Sequence, residues 1–458
     1  MIFKNHQSDE AAKQGELFKK GKRSMSAAER VRELQEKLYF KAKQEREYKF
    51  YILYDKMYIG YMLEEAYRGV KAKDGSAGID AQGFEQIERE GVEKFLKELG
   101  EDLRKKTYRP SPVKRVWIDK ASGGKRPLGI PTIRDRVAQM VCKMIIEPIF
   151  EADFEDCSYG FRPNRSSKDA MKDIKEQLQG GKTEVFDADL SSYFDTIPHD
   201  KLRAVLQLRI SDPRLLHLIN LWLKAPVYEE GEFKGGKKQK TGTPQGGVIS
   251  PLLANIYLHL LDRIVNDTRK LFYRLGVKIV RYADDFILMG TRITQQVVKR
   301  VEGILDSMGL KLNEGKTRKV DAQQKTFNFL GFTVRYDKDI KGGNKRYWNI
   351  VPSEKAGKRI REKIKVFLHK NGHSKPARIV EELNGMIRGW LNYYDIPGVS
   401  YPAMSKRRLR HYLQESLIRF YNRKSQRRSR LHGHQALESL VYKYGLIDPT
   451  KYCVRVFM

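Results

Sequence analysis

The stretch that most constrains this chain is 277–290. Two apolar runs, Ile279-Val280 and Phe286-Ile287-Leu288, flank Tyr282-Ala283-Asp284-Asp285. Short apolar runs bounded by a turn signal predict two strands, joined at Asp284-Asp285, that belong to a buried sheet. Aspartate favours ordinary solvated turns. Adjacent carboxylates leaving a buried sheet, however, repel each other and cost stability unless a cation neutralises them. Hard divalent ions such as Mg2+ take oxygen ligands of this kind.

A second acidic strand lies upstream, in Val185-Phe-Asp187-Ala-Asp189-Leu-Ser-Ser-Tyr193-Phe194-Asp195. An aspartate in a nearly apolar strand needs a partner in the core. If Asp189 sits beside Asp284, the pair can hold two metal ions roughly 3.5–4 Å apart, one activating an attacking 3′-hydroxyl and the other steadying a leaving pyrophosphate. Spacing alone does not choose among Asp187, Asp189 and Asp195.

Composition bears on the partner. The 458 residues include 89 Lys and Arg against 57 Asp and Glu, a formal net charge of +32. Such an excess points to a polyanion, nucleic acid before an anionic membrane surface. Apolar residues make up 40% of the chain, which excludes wholesale disorder. The length predicts roughly two to four domains. No run approaches 18 apolar residues, so no membrane span is expected, and the first residues lack the apolar core of a signal peptide. Cys142, Cys157 and Cys453 are far apart, which matches neither a disulfide framework nor paired zinc ligands and fits the reducing cytoplasm.

Along the chain, residues 1–25 read as a polar tail with Lys19, Lys20, Lys22 and Arg23 clustered. Ser26 and Glu29 form a capping-box pattern ahead of a helix. A second helical stretch is expected over 51–71, followed by the loop 73–80 with its two glycines. Strand and helix signals alternate from about 110 to 335. They predict a strand at 113–118, a turn at Gly123-Gly124, a helix at 135–150, a helix at 251–265 capped by Ser250, and a strand at 328–334. After 350 the pattern is helical only, with three amphipathic stripes, and 400–430 carries ten basic residues against one acidic.

Two further features could carry chemistry. Gly242-Thr-Pro-Gln245-Gly246-Gly247 precedes the helix at Ser250, and its glycines would let backbone approach a flat ligand such as a base pair. A flexible loop before a capped helix is the plainer alternative. Arg115, Lys120, Lys125 and Arg126 cluster on the expected hairpin and would suit a triphosphate, as would any basic surface in so cationic a chain.

Taken in order, Arg126-Pro-Leu-Gly-Ile-Pro131, Ser158-Tyr-Gly-Phe-Arg-Pro163, Asp189 with Phe194-Asp195, Pro244-Gln-Gly-Gly-Val-Ile-Ser-Pro251, Tyr282-Ala-Asp-Asp285 and Phe329-Leu-Gly-Phe332 resemble the ordered blocks of reverse transcriptases. More narrowly they resemble the proteins encoded by bacterial group II introns. Leu383-Asn-Gly-Met-Ile-Arg-Gly-Trp390-Leu-Asn-Tyr-Tyr394 resembles that family's thumb, or maturase, domain.

The resemblance implies an α+β right-hand polymerase, with fingers and palm on an antiparallel sheet, followed by an all-α three-helix thumb. The expected division is a basic N-terminal extension (1–50), fingers and palm (51–345), a helical thumb or maturase domain (346–400) and a basic C-terminal helical segment (401–458). It implies Asp189, Asp284 and Asp285 as catalytic carboxylates holding two Mg2+ ions, and Lys316 as proton donor to pyrophosphate. Phe194 would crowd a ribose 2′-OH and so select dNTPs. Lys120 and Arg126 would meet the triphosphate, and Gln245 and Gly246 would lie beneath the nascent pair. Gly75-Ser-Ala-Gly-Ile-Asp80 is similar to an N-terminal loop that embraces template and primer. Arg407, Arg408 and Arg410 are candidate RNA-binding residues, because like charges so dense call for a counter-anion.

The expected activity is therefore RNA-directed DNA synthesis by a nucleotidyltransferase that also binds intron RNA, assists its splicing and serves its mobility. Its partners would be intron RNA as template, a DNA or RNA primer or target, and dNTPs, without a membrane; a homodimer is allowed for. A domesticated relative in repair or phage defence is one alternative, and a splicing factor without polymerase activity another. An RNA-dependent RNA polymerase is more remote, since Phe194 argues against it. With His432-Gly-His434 and a lone Cys453 in place of paired cysteines, neither a nuclease domain nor zinc is expected.

Overall fold

A computed structural model of the chain describes residues 25–119, 124–236, 238–339, 345–424, 431 and 435–454. The tail at 1–24, Lys120, Gly123 and the His432-Gly-His434 segment lie outside the described residues. In chain order the strands are β1 (Val113–Asp119), β2 (Lys125–Ile130), β3 (Glu184–Ala188), β4 (Val227–Glu229), β5 (Glu232–Lys234), β6 (Lys278–Tyr282), β7 (Asp285–Gly290), β8 (Arg318–Asp321), β9 (Phe327–Phe329), β10 (Phe332–Lys338) and β11 (Arg346–Pro352). With the helices between them they make an α+β chain in which antiparallel pairing dominates.

The chain divides into two compact units, each assembled from separate stretches: Met1–Phe154 with Ile197–Ile256, and Glu155–Thr196 with Tyr257–Met458.

The first unit packs helices beside the sheet β2-β1-β4-β5, in which β1 and β4 run parallel. Ser26 and Glu29 form the expected capping box at the head of the Ala27–Gln44 helix, each satisfying an otherwise orphaned donor of the other. The stretch expected to be helical over 51–71 instead makes a short 3-10 turn (Tyr54–Tyr58) before the Gly60–Lys71 helix. The buried Asp212 carboxylate fixes that break, taking the backbone N–H groups of Leu53 at 2.9 Å and Tyr54 at 2.8 Å. The mostly buried Ile133–Glu151 helix forms the centre of the unit.

In the second unit the sheet β6-β7-β3-β8 is antiparallel throughout. One face carries Val185, Val280, Ile287 and Met289 into a core shared with the Ser167–Gln179 helix and the sheet β11-β10-β9. The stretch 328–334, expected as one strand, is a hairpin. Leu330 (φ 48°) and Gly331 (φ 80°) turn the chain between β9 and β10, a conformation that glycine adopts without cost. Tyr394 packs over that turn: a Cβ on Gly331 would lie 2.7 Å from its hydroxyl. Phe332 stacks on Tyr393 with ring centroids 5.8 Å apart, and Tyr393 donates to the Leu330 carbonyl at 3.0 Å.

The three C-terminal stripes form the helices Glu354–Lys370, Pro376–Tyr394 and Ala403–Lys424. A further helix, Ala436–Tyr444, joins them in one core containing Ile364, Leu383, Ile387, Leu413, Leu417 and Leu440. Helices from both sides of residue 400 thus share a single apolar interior. Among the described residues no helix is long and apolar enough to cross a membrane.

Candidate active site

The candidate carboxylates belong to the second unit. The strands on either side of the acidic turn are β6 and β7; Tyr282 pairs with Asp285, and Ala283-Asp284 is the two-residue connection. Ala283 takes the left-handed conformation (φ 59°) that such tight hairpins require. Asp285 begins β7 rather than closing the turn.

Strand β3 runs antiparallel to β7, with Asp187 opposite Ile287 and Ala188 opposite Phe286. Continued by one residue, this register sets Asp189 against Asp285. Facing residues in such a ladder have Cα atoms about 4.5–5.5 Å apart. Side chains alternate along a strand, so Asp187, Asp189 and Asp285 lie on the same sheet face. Two residues separated by about 95 positions are thereby neighbours. Just beyond β3, Leu190 bridges Leu312, and the Asp189 carbonyl accepts the Asn313 N–H at 2.7 Å. These bonds fasten the loop holding Lys316, whose ammonium lies 3.1 Å from the Asp189 carboxylate.

Charge is concentrated here. Packing around the Asp285 carboxyl, then the charges of Asp284, Asp189 and Asp187, push its pKa up to about 6, against a smaller opposing pull from Lys316. Asp285 as a whole residue is nonetheless exposed at the start of β7, so it is the direction of the shift that the packing supports. Asp187 is also raised, first by burial, although Arg318 reaches it at 3.2 Å. Among the described residues no three or more His, Cys, Asp or Glu side chains are grouped closely enough to hold a metal ion as they stand. The donor set nevertheless suits a hard divalent cation. It consists of carboxylate oxygens, burial and then the neighbouring charges push the pKa of Asp285 up, and an exposed lysine is salt-bridged to Asp189.

The remaining expected residues are distributed as follows. Phe194 is half-buried beside Tyr193, with ring centroids 5.6 Å apart, so it is not enclosed as a core residue. Asp195 is exposed. In the first unit, Arg126 is exposed on β2, opposite Ile118, while Lys120 lies outside the described residues. The glycine-rich loop is held against β2 there. Gly129 N–H donates to the Gln245 carbonyl at 2.5 Å, and a Cβ on Gly246 would strike the Gly129 carbonyl at 2.2 Å. Buried Gln139 accepts the Val248 N–H at 2.8 Å. The helix that follows begins at Ser250 itself, one residue earlier than expected. Loop 73–80 is fixed by Arg136, which donates to the carbonyls of Gly75, Ser76 and Pro131.

The three basic candidates differ. Arg407 and Arg408 are exposed, whereas Arg410 pairs with Asp448 at 3.1 Å and Glu438 at 3.6 Å. Arg408 lines a groove of about 810 Å3 in the second unit, together with Arg335, Arg359, Arg361, Trp390 and Tyr394.

Some contributors escaped sequence reasoning. Ser158-Tyr159-Gly160 adds an edge to β6: Arg281 N–H donates to the Cys157 carbonyl at 2.8 Å and Tyr159 N–H to the Arg281 carbonyl at 2.9 Å. A Cβ on Gly160 would lie 2.4 Å from the Ala283 nitrogen, so the backbone at 160 rests directly on the acidic turn. Arg281 and Asp262 are both fully buried and paired. A strand arginine reads as surface in sequence; only the phase of β6, which turns Ile279 and Arg281 to the same side, hints otherwise.

Residues 118–334 match the family described as reverse transcriptase (RNA-dependent DNA polymerase), and 357–436 match the group II intron, maturase-specific domain. Protein YkfC of Escherichia coli K12 is 36% identical over 331 residues, covering 64% of this chain and 85% of that protein. Group II intron-encoded protein LtrA of Lactococcus lactis is 34% identical over 335 residues, covering 71% of this chain and 52% of that protein. An uncharacterized 91 kDa protein in the cob intron of Schizosaccharomyces pombe is 28% identical over 403 residues, covering 72% and 49%. The chain thus spans most of the first relative and about half of each of the other two.

Proposed function

Because this chain belongs to the group II intron reverse transcriptase–maturase family and is an RNA-directed DNA polymerase, we propose that it builds DNA on an RNA template at Asp189, Asp284 and Asp285. The observation that supports this reading is the β3–β7 register, whose last pair, Ala188 with Phe286, would if continued by one residue bring Asp189 opposite Asp285 beside the Tyr282–Asp285 turn. Mg2+ is the metal the family uses. When bound at these three carboxylates, it would supply charge to activate the primer 3′-hydroxyl and to stabilise the leaving pyrophosphate.

The protein's own groups do the remaining work. Lys316, salt-bridged to Asp189, carries a proton that it can give to the departing pyrophosphate. Phe194, half-buried and braced by Tyr193, is shaped to leave no space for a 2′-hydroxyl. Arg126 meets the triphosphate as a charge-assisted donor. The backbone of Gln245-Gly246, anchored by Gly129, forms a floor for the new pair. The helical region from 357 to 436 acts as the thumb of a right-hand polymerase and binds intron RNA to assist splicing and mobility. Exposed Arg407 and the cationic groove at Arg408 support that role.

Primer extension on an RNA template with dNTPs and Mg2+ tests the site. Asp284→Ala should abolish synthesis while leaving RNA binding within about twofold of wild type, since the binding charges lie elsewhere. Retained synthesis would refute the carboxylate assignment.

A further inference from the structure

The sheet face opposite the carboxylates presents a second charged pair, in very different surroundings. Arg281 on β6 and Asp262 on the Ser250–Asn266 helix both have side chains with 0% exposure. The Arg281 Nε donates to Asp262 at 2.8 and 3.1 Å, and one terminal nitrogen donates to the same carboxylate at 2.5 Å. The other terminal nitrogen donates to the carbonyl of Ala283 at 2.9 Å. The guanidinium therefore spans from a helix to the peptide immediately preceding Asp284.

Burying two charges is expensive, and a well-packed apolar pair of similar volume would often hold a core at least as well. What the apolar pair could not do is grip a turn carbonyl. Lysine could not do so either while keeping a forked hold on the aspartate, because only arginine offers rigidly divergent donors. The gripped peptide needs holding. Ala283 is a left-handed non-glycine residue, and the two carboxylates beyond it repel. Support comes from two directions. Arg281 pulls on the Ala283 carbonyl, while the backbone at Gly160 abuts the Ala283 nitrogen too closely to admit a Cβ. Tyr193, which precedes Phe194, is buried and interacts electrostatically with Arg281, Asp284 and Asp262.

We propose that the Asp262–Arg281 pair is a positioning device for the polymerase reaction, fixing the Ala283 peptide so that Asp284 and Asp285 are presented in a single arrangement to the reacting ends. The inference rests on the carboxylate assignment above. It adds two residues that touch neither substrate nor metal.

The test compares Arg281→Lys and Gly160→Ala with wild type and with Asp284→Ala, measuring thermal unfolding, template–primer binding, dNTP KM, kcat and the Mg2+ concentration giving half-maximal rate. Arg281→Lys keeps a charge against Asp262 but gives up the fork. It should bind template–primer and dNTP within about twofold of wild type, lose at least about tenfold in kcat and need severalfold more Mg2+, as expected when reacting groups shift by a fraction of an ångström. Gly160→Ala pushes on the adjoining Tyr282–Ala283 peptide, on the other side of the Ala283 Cα, and should reproduce that signature.

If either variant is folded and retains wild-type kcat and Mg2+ demand, the positioning role falls. It falls equally if the loss appears in KM or binding instead, or if both variants fail to fold, which would make the pair an ordinary core element. Asp284→Ala separates the two assignments: if it still synthesises DNA, the carboxylate site itself is wrong; if it is inactive while Arg281→Lys is normal, only the positioning device is.

Discussion

Within the second unit, the acidic strand ends and the basic Ala403–Lys424 helix carry opposite charge, yet both handle it by one rule. On the sheet, Asp187 has Arg318 at 3.2 Å and Asp189 has exposed Lys316 at 3.1 Å, while Asp285 feels the charges of Asp284, Asp189 and Asp187. On the helix, Lys406 is paired with Asp395 at 2.5 Å and Arg410 with Asp448 at 3.1 Å, while Arg407 and Arg408 form no ion pair among the described residues. Each region contains charges tied to a partner inside the fold and charges turned toward solvent. The tied ones hold elements together; under the function proposed above, the others meet a ligand of opposite sign. A charge run in sequence does not distinguish the two kinds, but the paired geometry does.

The largest test of this division is at the acidic turn. Asp284→Ala should reduce DNA synthesis by at least about a thousandfold in single-turnover primer extension, because the cation site is lost. Lys316→Met should cost about 10–100-fold in kcat, as expected for a lost proton donor, with template–primer binding unchanged. An unchanged kcat would make Lys316 merely the local counter-charge of Asp189.

On the basic helix, Arg407→Gln with Arg408→Gln should flatten the salt dependence of RNA binding by about one unit of log–log slope for each phosphate no longer neutralised. Arg410→Gln should leave that slope alone and lower unfolding stability by about 1–2 kcal/mol, because it removes a charged hydrogen bond to the buried Asp448. If all three substitutions change the slope alike, the division fails on this helix.

The smallest effect concerns pH. The folded-state pKa of Asp285 is raised, so folding favours its protonated form. Its contribution to stability is present at low pH and lost as pH rises from 3.8 through about 6. Mg2+ should offset that loss. Its thermal stabilisation should be a few degrees larger at pH 7.5 than at pH 5, and the difference should vanish in Asp285→Asn.

Much of this was legible in the sequence because the signals were local. Ser26 and Glu29 announced a helix start, and the apolar runs around Asp284-Asp285 announced a hairpin. The triad choice needed family resemblance, since Asp187 and Asp189 share a sheet face and differ mainly in what lies across the ladder. What stayed hidden was set by distant partners. The chain turns at 54–58 because Asp212 takes the amides of Leu53 and Tyr54, and Phe329 and Phe332 sit in separate strands because Leu330 and Gly331 turn the chain between them, while β9 with three residues is too short to show alternation. Beyond the phase of β6, Arg281 gave no sign of burial, for the residue that neutralises it is 19 positions away on another element. Likewise, Gly160 could be understood only once the acidic turn was seen resting on it.

The seating of Gly331 beneath Tyr394, with Phe332 flat on Tyr393, joins the β9–β10 hairpin to the end of the long Pro376–Tyr394 helix. Neither can swing without prising rings apart. Amide protons in the two elements should therefore exchange with solvent as one cooperative block, and a bulky residue at 331 should release both together. Any pivot that lets the helices rearrange around a nucleic acid must then lie beyond this latch, further along the polypeptide.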